Sequence, residues 1–428
     1  MDYAETMEYL KSLQKFGIRL GLHRMERLLA EFGNPHQEIP YVHIGGTNGK
    51  GSVTAMLLSV LKAAGYRMGT YISPALHRFN ERIGIDGIPI ADEELTPLIT
   101  EIKPWATEIG QDGDHPTEFE VVTAAALLHF KRKNVQMGLL EVGLGGRLDS
   151  TNIIEKPLVS VITNIGYDHM QILGNTLEEI AFEKAGIIKE GRPLITGAEG
   201  DSVLKVLSDT AAQRNATLYR LGSDIQAEGL GGSWENQFVR IATMDSVYQD
   251  LEISLLGDHQ ISNAALALAA LDILRREGFP VSEDAVRKGM KTAVWPGRFE
   301  VFQKRPLVII DGAHNPDGAR VLKKTLKKLA GGRKITMVVG ILEDKDWETM
   351  VKEFAEVADR IVVVRPDSPR ALNEQELAAA ILRIHDRVHV FRHVREGMEF
   401  ALATSEINDI ICAAGSLVTA AEARSVIL

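Results

Sequence analysis

The chain has only one cysteine, Cys412, among its 428 residues, so it cannot form an internal disulfide. Cys412 lies in the apolar run DIICA, which predicts a buried strand rather than a nucleophile. No apolar run approaches the ~20 residues of a membrane span, and the first residues lack the basic and apolar regions of a secretory signal. Positive charge is not in excess either, because the net charge is −10. These absences argue against a membrane or nucleic-acid partner and favour a cytoplasmic enzyme.

Two domains are expected, because 428 residues exceed one ordinary hydrophobic core. The pattern breaks at the sequence WPGRF, residues 295–299, and we predict a boundary there, with domains at 1–296 and 297–428. After this boundary, strand and helix patterns alternate to the end of the chain. That alternation predicts βαβ units and a mostly parallel sheet covered on both faces.

The stretch from residue 41 to residue 65 reads as a strand, a glycine-rich turn and a helix. This order places backbone N–H groups around an anion at the helix N-terminus, and the glycines permit a close approach. Lys50 can reach the phosphates of a nucleotide, while Ser52 or Thr47 can lie near Mg²⁺. The match to the P-loop pattern is imperfect, because Ile44 stands at the first glycine position and Gly51 at the Ser/Thr position. A simple tight connection is the alternative.

Polar residues directly follow several other predicted strands. Glu141 ends one strand, Asp168 and His169 follow another, and the sequence DGAHNP at 311–316 follows a third. Ligands bind at the carboxyl ends of strands in open parallel sheets, so Glu141 stands where a Mg²⁺ carboxylate is needed. The alternatives are a buried Glu141 paired with an arginine and a structural His169.

The residues alone do not assign a single role to three further candidates. Arg19, in a glycine-flanked loop, would face an anionic substrate, whereas the plainer interpretation makes Arg19, Arg24 and Arg27 a solvated face. Thr117 is a candidate helix N-cap as well as a ligand. Lys184 lies on a semi-apolar helical turn, where lysine is unusual without a partner, and the residues alone leave its role open.

Eight motifs, in order, together resemble the folylpolyglutamate synthases and dihydrofolate synthases, which are related to the Mur ligases. They are GTNGKGS (46–52), SPALHRFNERI (73–83), EVGLGGRLDSTN (141–152), TNIGYDHMQILG (163–174), EKAGIIK (183–189), HQISNA (259–264), PGRFE (296–300) and DGAHNP (311–316). The resemblance implies an α/β fold: an N-terminal P-loop ATPase domain with a mostly parallel sheet flanked by helices, and a C-terminal Rossmann-like domain. The active site would lie at the cleft between them.

The same resemblance implies an ATP-dependent amide ligase that joins L-glutamate to dihydropteroate and to reduced folates through an acyl phosphate. ATP and two Mg²⁺ ions are implied, as are a carbamylated lysine at position 184 and a monomeric state. Implied catalytic residues are Lys50, Lys184, Asp311 and His314. Implied ATP contacts are Thr47, Asn48, Gly49, Lys50, Gly51, Ser52, Asn263, Arg298 and Asp311. Implied Mg²⁺ ligands are Ser52, Ser73, Glu141, His169 and the modified Lys184.

Implied contacts to the pterin, folate or glutamate are Arg19, Arg82, Thr117, Phe119, Asp149, His314 and Ser416. Asp149 would accept two hydrogen bonds from the pterin, and the alternative is a loop contact with Arg147. Leu417 and Val418 depart from the family, in which an aromatic residue stands soon after the Gly-Ser pair.

Three other functions compete with the bifunctional enzyme. The first is folylpolyglutamate synthase activity alone. The second is a Mur-type ligase acting on a UDP-sugar peptide, which the lack of a preceding UDP-binding domain disfavours. The third is a P-loop switch without ligase chemistry, which would not need the cluster at Asp311 and His314.

Overall fold

The computed structural model describes residues 1–302 and 305–428. The chain forms two compact units, and each is assembled from three segments. The first unit comprises Met1–Glu228, Arg240–Leu251 and Ser262–Ala293, and the second comprises Gly229–Val239, Glu252–Ile261 and Val294–Leu428. Two segments that precede residue 296 thus belong to the second unit. As a division of function, the boundary between residues 296 and 297 stays a prediction.

The first unit is organised around an eight-stranded sheet in the order β4-β3-β2-β5-β1-β6-β7-β8. The strands are β1 Tyr41–Gly45, β2 Met68–Tyr71, β3 Ile83–Ile85, β4 Ile88–Pro89, β5 Met137–Glu141, β6 Val159–Ile162, β7 Leu194–Thr196 and β8 Leu218–Arg220. The run from β2 through β8 is parallel, whereas β3 and β4 pair antiparallel at one edge. Ile44 of β1 lies opposite Glu141 of β5, so the strand before the glycine-rich turn ends beside Glu141.

Helices flank this sheet. They are α1 Tyr3–Leu13, α2 His23–Ala30, α3 Lys50–Ala63, α4 Asp92–Ile109, α5 Glu118–Arg132, α6 Met170–Leu173, α7 Leu177–Ala185 and α8 Asp201–Gln213. Short 3₁₀ turns span Gln14–Phe16, Pro35–Glu38, Phe79–Arg82, Gly110–Asp112 and Ser150–Ile153. Thr117 is the N-cap of α5, because its hydroxyl accepts from Glu120 N–H while the Glu120 side chain binds the Thr117 backbone. The N-cap prediction for Thr117 is confirmed.

A three-stranded sheet follows, in the order β11-β10-β9. Its strands are β9 Gln226–Gly232, β10 Gln237–Ala242 and β11 Val247–Ile253, and the helices α9 Asp258–Arg276 and α10 Glu283–Thr292 come after it. Helix α10 packs tightly on α3, since a methyl group at Gly289 would lie 2.6 Å from the Val60 backbone nitrogen. The two units exchange chain segments within this region, which is why neither is a single stretch of sequence.

The second unit contains a six-stranded sheet in the order β12-β13-β17-β14-β15-β16. Its strands are β12 Glu300–Phe302, β13 Leu307–Ile310, β14 Ile335–Val339, β15 Arg360–Val363, β16 Val388–Val390 and β17 Ile410–Ala414, and only β12 runs antiparallel. The helices are α11 Pro316–Ala330, α12 Trp347–Ala355, α13 Glu374–Ile381, α14 Val394–Thr404 and α15 Leu417–Ile427. The alternating strands and helices predicted here are confirmed.

The second unit has a stacked aromatic pair and a buried cysteine. Trp234 stacks on Phe299, with ring centroids 6.4 Å apart and planes at 9°. Cys412 is fully buried in β17, and burial raises the pKa of its thiol, as predicted for a structural cysteine. Within the described residues, no helix combines the length and the apolar character needed to cross a bilayer.

Candidate active site

The loop between β1 and α3 can be built only from glycine at two points. Gly46 and Gly49 have φ values of +131° and +88°. A methyl group at Gly46 would overlap Thr163 Oγ1, and one at Gly49 would lie 2.5 Å from Asn263 Oδ1. The loop is therefore packed against its neighbours while its backbone leads directly into the N-terminus of α3. That arrangement suits a phosphate group.

Residues that directly follow β6 hold this loop in place. Thr163 Oγ1 donates to Asn48 O at 2.6 Å, and Asn164 Oδ1 accepts from Asn48 N–H at 2.7 Å. Thr47 Oγ1 accepts from Gly166 N–H at 3.0 Å. The sequence interpretation assigned no role to residues 163, 164 and 166. Their signal was available, because polar residues directly after a buried strand lie at the binding edge of the sheet.

Two lysines converge on this loop. Lys50 Nζ donates to the carbonyl oxygens of Gly46 and Thr47, both at 3.1 Å. Lys184 Nζ, on α7, donates to the same Gly46 oxygen at 3.0 Å and is buried. Burial, reinforced by the nearby Lys50 charge, lowers the pKa of Lys184 to about 7, although Asp168 and Asp149 oppose this shift.

The oxygen donors predicted for Mg²⁺ lie at the ends of neighbouring elements. Ser52 is buried in the first turn of α3, and Glu141 is buried at the end of β5. Ser73 is half-buried just after β2, and His169 is the exposed N-cap of α6, with φ +51°. The described residues contain no group of three His, Cys, Asp or Glu placed to hold a metal. A hydroxyl and a single carboxylate fit Mg²⁺ bound mainly through phosphate and water, which is its usual mode.

A second cluster in the first unit is aromatic and surrounds Arg82. The Arg82 guanidinium lies over the rings of Phe79 and Phe119, 5.1 and 5.3 Å from their centroids. Arg82 also pairs with Glu118 at 2.5 Å. Tyr71 contacts Phe119, with centroids 5.7 Å apart. The aromatic rings around the Arg82–Glu118 pair are suited to packing against a flat heteroaromatic ring.

Asp149 is buried beside this cluster. Its carboxylate accepts from Leu144 N–H at 2.9 Å, Thr151 N–H at 3.0 Å and the Thr151 hydroxyl at 2.5 Å. Burial raises the pKa of Asp149, and these hydrogen bonds oppose the rise. The alternative contact with Arg147 is wrong, because Arg147 pairs with Glu183 at 2.8 Å. Sequence reasoning also missed His43, whose Nε2 lies 2.9 Å from Thr151 Oγ1.

The arginines before the P-loop do not form one solvated face. Arg24 is buried, and its Nε lies 2.9 Å from Glu120 Oε1, so that interpretation is wrong for Arg24. Arg27 is exposed. Arg19 is half-buried, and its guanidinium lies 5.1 Å from the Phe16 ring centroid and 3.5 Å from Asp114.

The second unit has its own polar cluster, at the end of β13. Asp311 accepts from Phe299 N–H at 2.7 Å and from Ala313 N–H at 2.8 Å. Burial raises the pKa of Asp311, and the Arg298 charge opposes that rise. His314 Nδ1 lies 2.8 Å from Gly312 O, so this nitrogen carries the proton and donates. Ser416 is buried and caps α15, accepting from Thr419 N–H at 3.0 Å.

Comparison with known proteins gives the family. Residues 44–271 match the family described as Mur ligase middle domain, and residues 297–417 match that described as Mur ligase, glutamate ligase domain. The dihydrofolate synthase/folylpolyglutamate synthase of Bacillus subtilis is 42% identical over 381 residues, which are 88% of each chain. The chain belongs to the dihydrofolate synthase/folylpolyglutamate synthase family. The predicted family, fold and class of enzyme, an ATP-dependent ligase, are confirmed, and a switch module without ligase chemistry is excluded.

Solved structures of this family have the same fold. Escherichia coli FolC in complex with DHPP and ADP has a TM-score of 0.91 and 32% identity, with 100% of this chain and 98% of that chain covered. The bifunctional enzyme of Yersinia pestis, complexed with AMPPNP and a Mn ion, has a TM-score of 0.88 and 31% identity, covering 100% and 98%. The relatives thus bind small molecules, among them adenine nucleotides and a divalent metal ion.

Proposed function

We propose that this enzyme joins L-glutamate to dihydropteroate and also to reduced folates that already carry glutamate. The observation that carries the proposal is the pairing of two sites in the first unit. One is the phosphate loop with Lys50 and Lys184, and the other is the aromatic cluster at Phe119 with the buried Asp149. Asp149 acts electrostatically on Lys184, which links the two sites.

The proposed reaction begins with activation of a carboxylate of the pterin or folate substrate. A substrate carboxylate oxygen attacks the γ-phosphorus of ATP and ADP leaves, which gives an acyl phosphate. The glutamate α-amine then attacks the acyl carbon, loses a proton, and phosphate leaves as the amide forms. Phosphoryl transfer depends mainly on positioning and charge neutralisation, and we assign these tasks to the phosphate loop and Lys50.

For ATP we propose nine contacting residues. They are Thr47, Asn48, Gly49, Lys50, Gly51, Ser52, Asn263, Arg298 and Asp311. Ser52, Ser73, Glu141 and His169 would hold Mg²⁺, which supplies charge neutralisation at the triphosphate when bound. His314 and Ser416 would serve the incoming glutamate, although the Ser416 hydroxyl already accepts the cap hydrogen bond from Thr419.

For the pterin we propose stacking on Phe119 and hydrogen bonds with Thr117 and Asp149. Asp149 already accepts hydrogen bonds from Leu144 and Thr151, and the Gly143 backbone also acts on its carboxylate, so at most one of about four acceptor positions is left for the pterin. This is fewer than the two bonds first expected. Arg82 and Arg19 would meet the acidic part of the substrate.

We propose that Lys184 carries a carbamate. A neutral amine attacks CO₂ and releases one proton, giving an anionic oxygen ligand for a second Mg²⁺. An amine with a pKa of about 7 is half neutral at neutral pH, whereas an ordinary lysine is almost wholly charged. NMR of the protein after exchange with ¹³C-bicarbonate checks this. We expect active enzyme to show a carbamate signal that is absent from Lys184→Gln. Active enzyme without that signal would contradict the proposal.

The decisive experiment supplies Mg-ATP, L-glutamate and one of two acceptors, 7,8-dihydropteroate or a reduced folate monoglutamate. We expect amide product and ADP with both. Product from the folate alone would leave only folylpolyglutamate synthase activity. Product from neither, with a UDP-sugar peptide accepted instead, would support a Mur-type ligase.

We also propose that the enzyme is a cytoplasmic monomer. Light scattering during size-exclusion chromatography tests the monomeric state.

A further inference from the structure

Arg24 is buried at the meeting point of three segments that precede or begin α5. Its Nε lies 2.9 and 3.1 Å from the two Glu120 carboxylate oxygens. Its Nη1 donates to Asp114 Oδ1 at 2.9 Å, and its Nη2 donates to the Arg19 carbonyl oxygen at 2.8 Å. Both Arg24 and Glu120 are 2% exposed. One guanidinium therefore fixes the Arg19 loop, the Asp114 loop and the first turn of α5.

Glu120 connects Arg24 to Thr117 through hydrogen bonds. Its Oε2 accepts from Thr117 N–H at 2.7 Å and from the Thr117 hydroxyl at 3.0 Å. The Thr117 oxygen in turn accepts from Glu120 N–H at 3.3 Å. A carboxylate paired with a buried arginine is ionised and can only accept, so the Thr117 hydroxyl proton must point at Glu120.

This arrangement determines which kind of hydrogen bond Thr117 can form with a ligand. A hydroxyl has one proton and two lone pairs, and Glu120 occupies the proton and one lone pair. The remaining lone pair accepts and cannot donate. A ligand that reaches Thr117 must therefore present an N–H or O–H group.

We propose that Arg24 is a positioning residue of the substrate site. By holding the Glu120 carboxylate in place, it orients the Thr117 hydroxyl as an acceptor for a ring N–H of the substrate. The inference rests on the proposed function, because it takes Thr117 to line the pterin site. It adds a specificity rule: a ring nitrogen that offers only a lone pair is rejected at this position.

Matched threonine variants test the acceptor. Thr117→Val removes the hydroxyl, and Thr117→Ser retains it. Thr176→Val is the control, because Thr176 forms the same capping box with Glu179 at the start of α7. We expect Thr117→Val to weaken dihydropteroate binding, measured by calorimetry, about tenfold, the usual effect of one lost hydrogen bond. Thr117→Ser should restore it, and Thr176→Val should lower the melting temperature alone.

Matched arginine variants test the positioning role. Arg24→Lys keeps the charge but cannot contact Glu120, Asp114 and the Arg19 carbonyl together. Arg27→Lys makes the same change at an exposed position of the same helix. We expect Arg24→Lys to raise the KM for dihydropteroate several-fold while the KM for ATP stays unchanged. Arg27→Lys should change neither.

Each outcome decides the inference. Unchanged dihydropteroate binding in Thr117→Val, with binding and turnover intact in the unaltered enzyme, overturns the inference and leaves the proposed function standing. Equal increases of the KM for ATP and for dihydropteroate in folded Arg24→Lys reduce Arg24 to a structural residue and overturn its positioning role. An unaltered enzyme that neither binds nor converts dihydropteroate refutes the proposed function, and the inference with it.

Discussion

Lys50 and Lys184 donate to one acceptor, the carbonyl oxygen of Gly46, at 3.1 and 3.0 Å. Lys184 is buried, and the nearby Lys50 charge adds to the effect of burial. Together they lower the pKa of Lys184 to about 7. The loop that we assign to the triphosphate is thus held by one amine that is half neutral at physiological pH.

Replacing Lys184 with methionine should stabilise the protein in a pH-dependent way. Its pKa falls from 10.5 to about 7 on folding, so between these values the unfolded chain binds more protons and stability rises with pH. The free-energy cost of burying the Lys184 amine on folding is greatest below pH 7 and decreases toward pH 10.5. In CO₂-depleted buffer we expect Lys184→Met to gain roughly 3–5 kcal/mol at pH 6 and much less at pH 9.5. Denaturant unfolding at both pH values measures this, and an equal gain at both would contradict it.

Replacing Lys50 with alanine should abolish turnover with little loss of stability. The ammonium contacts loop carbonyls rather than the apolar core, so the fold does not depend on it. We expect kcat to fall by a factor on the order of 10²–10³ or more, the usual effect of removing one charge-stabilising group. Lys62→Ala, at the other end of α3, is the control and should retain activity. A normal rate in Lys50→Ala would remove it from the proposed mechanism.

Gly46→Ala should damage the phosphate loop more than a glycine substitution elsewhere. Gly65 also has a positive φ, +90°, but nothing lies within 4 Å of a methyl group placed there, whereas one at Gly46 would overlap Thr163. We expect Gly65→Ala to cost roughly 1 kcal/mol of stability from backbone strain alone. Gly46→Ala should cost more and should also weaken binding of an ATP analogue, which calorimetry measures. Equal behaviour of the two variants would show that the close packing on Thr163 is unimportant.

Asp149→Ala should impair dihydropteroate use more than use of a reduced folate that bears glutamate. The substitution also leaves Leu144 N–H and Thr151 N–H without their acceptor, which we expect to cost roughly 2–3 kcal/mol of stability. Thr151→Val separates the two effects, because it removes one donor and keeps the carboxylate. The ratio of kcat/KM for the two acceptors is the measurement. Equal losses for both would argue against the pterin role of Asp149.

Much of the fold was readable from the sequence, because strand and helix patterns depend on local order. The alternation of strands and helices predicted after residue 299 is present as β13 to β17 and α11 to α15. Several elements were not predicted, among them the β3–β4 hairpin, the helix α10 and the strand β12. The two strand pairings are antiparallel contacts at sheet edges, which the local sequence pattern does not determine.

Site residues that directly follow a strand could be predicted from the sequence. Residues whose hydrogen-bond or ion-pair partners are distant in sequence could not. Glu141 and the glycine-rich turn were found because each ends a buried strand. Arg24 was misjudged because its partner Glu120 is 96 residues away. Arg147 and Asp149, only two residues apart, instead bind different partners, which their spacing in the sequence does not reveal.

The stacking of Trp234 on Phe299 bears on how this protein can be dissected. Both rings belong to the second unit, yet they come from segments more than sixty positions apart. A recombinant fragment starting at residue 297 would carry Phe299 without its covering indole and without the two upstream segments of its own unit. Such a fragment should fold poorly and aggregate. A version that joins residues 229–239 and 252–261 to this fragment through short linkers is the better starting point for studying the glutamate-ligase half in isolation.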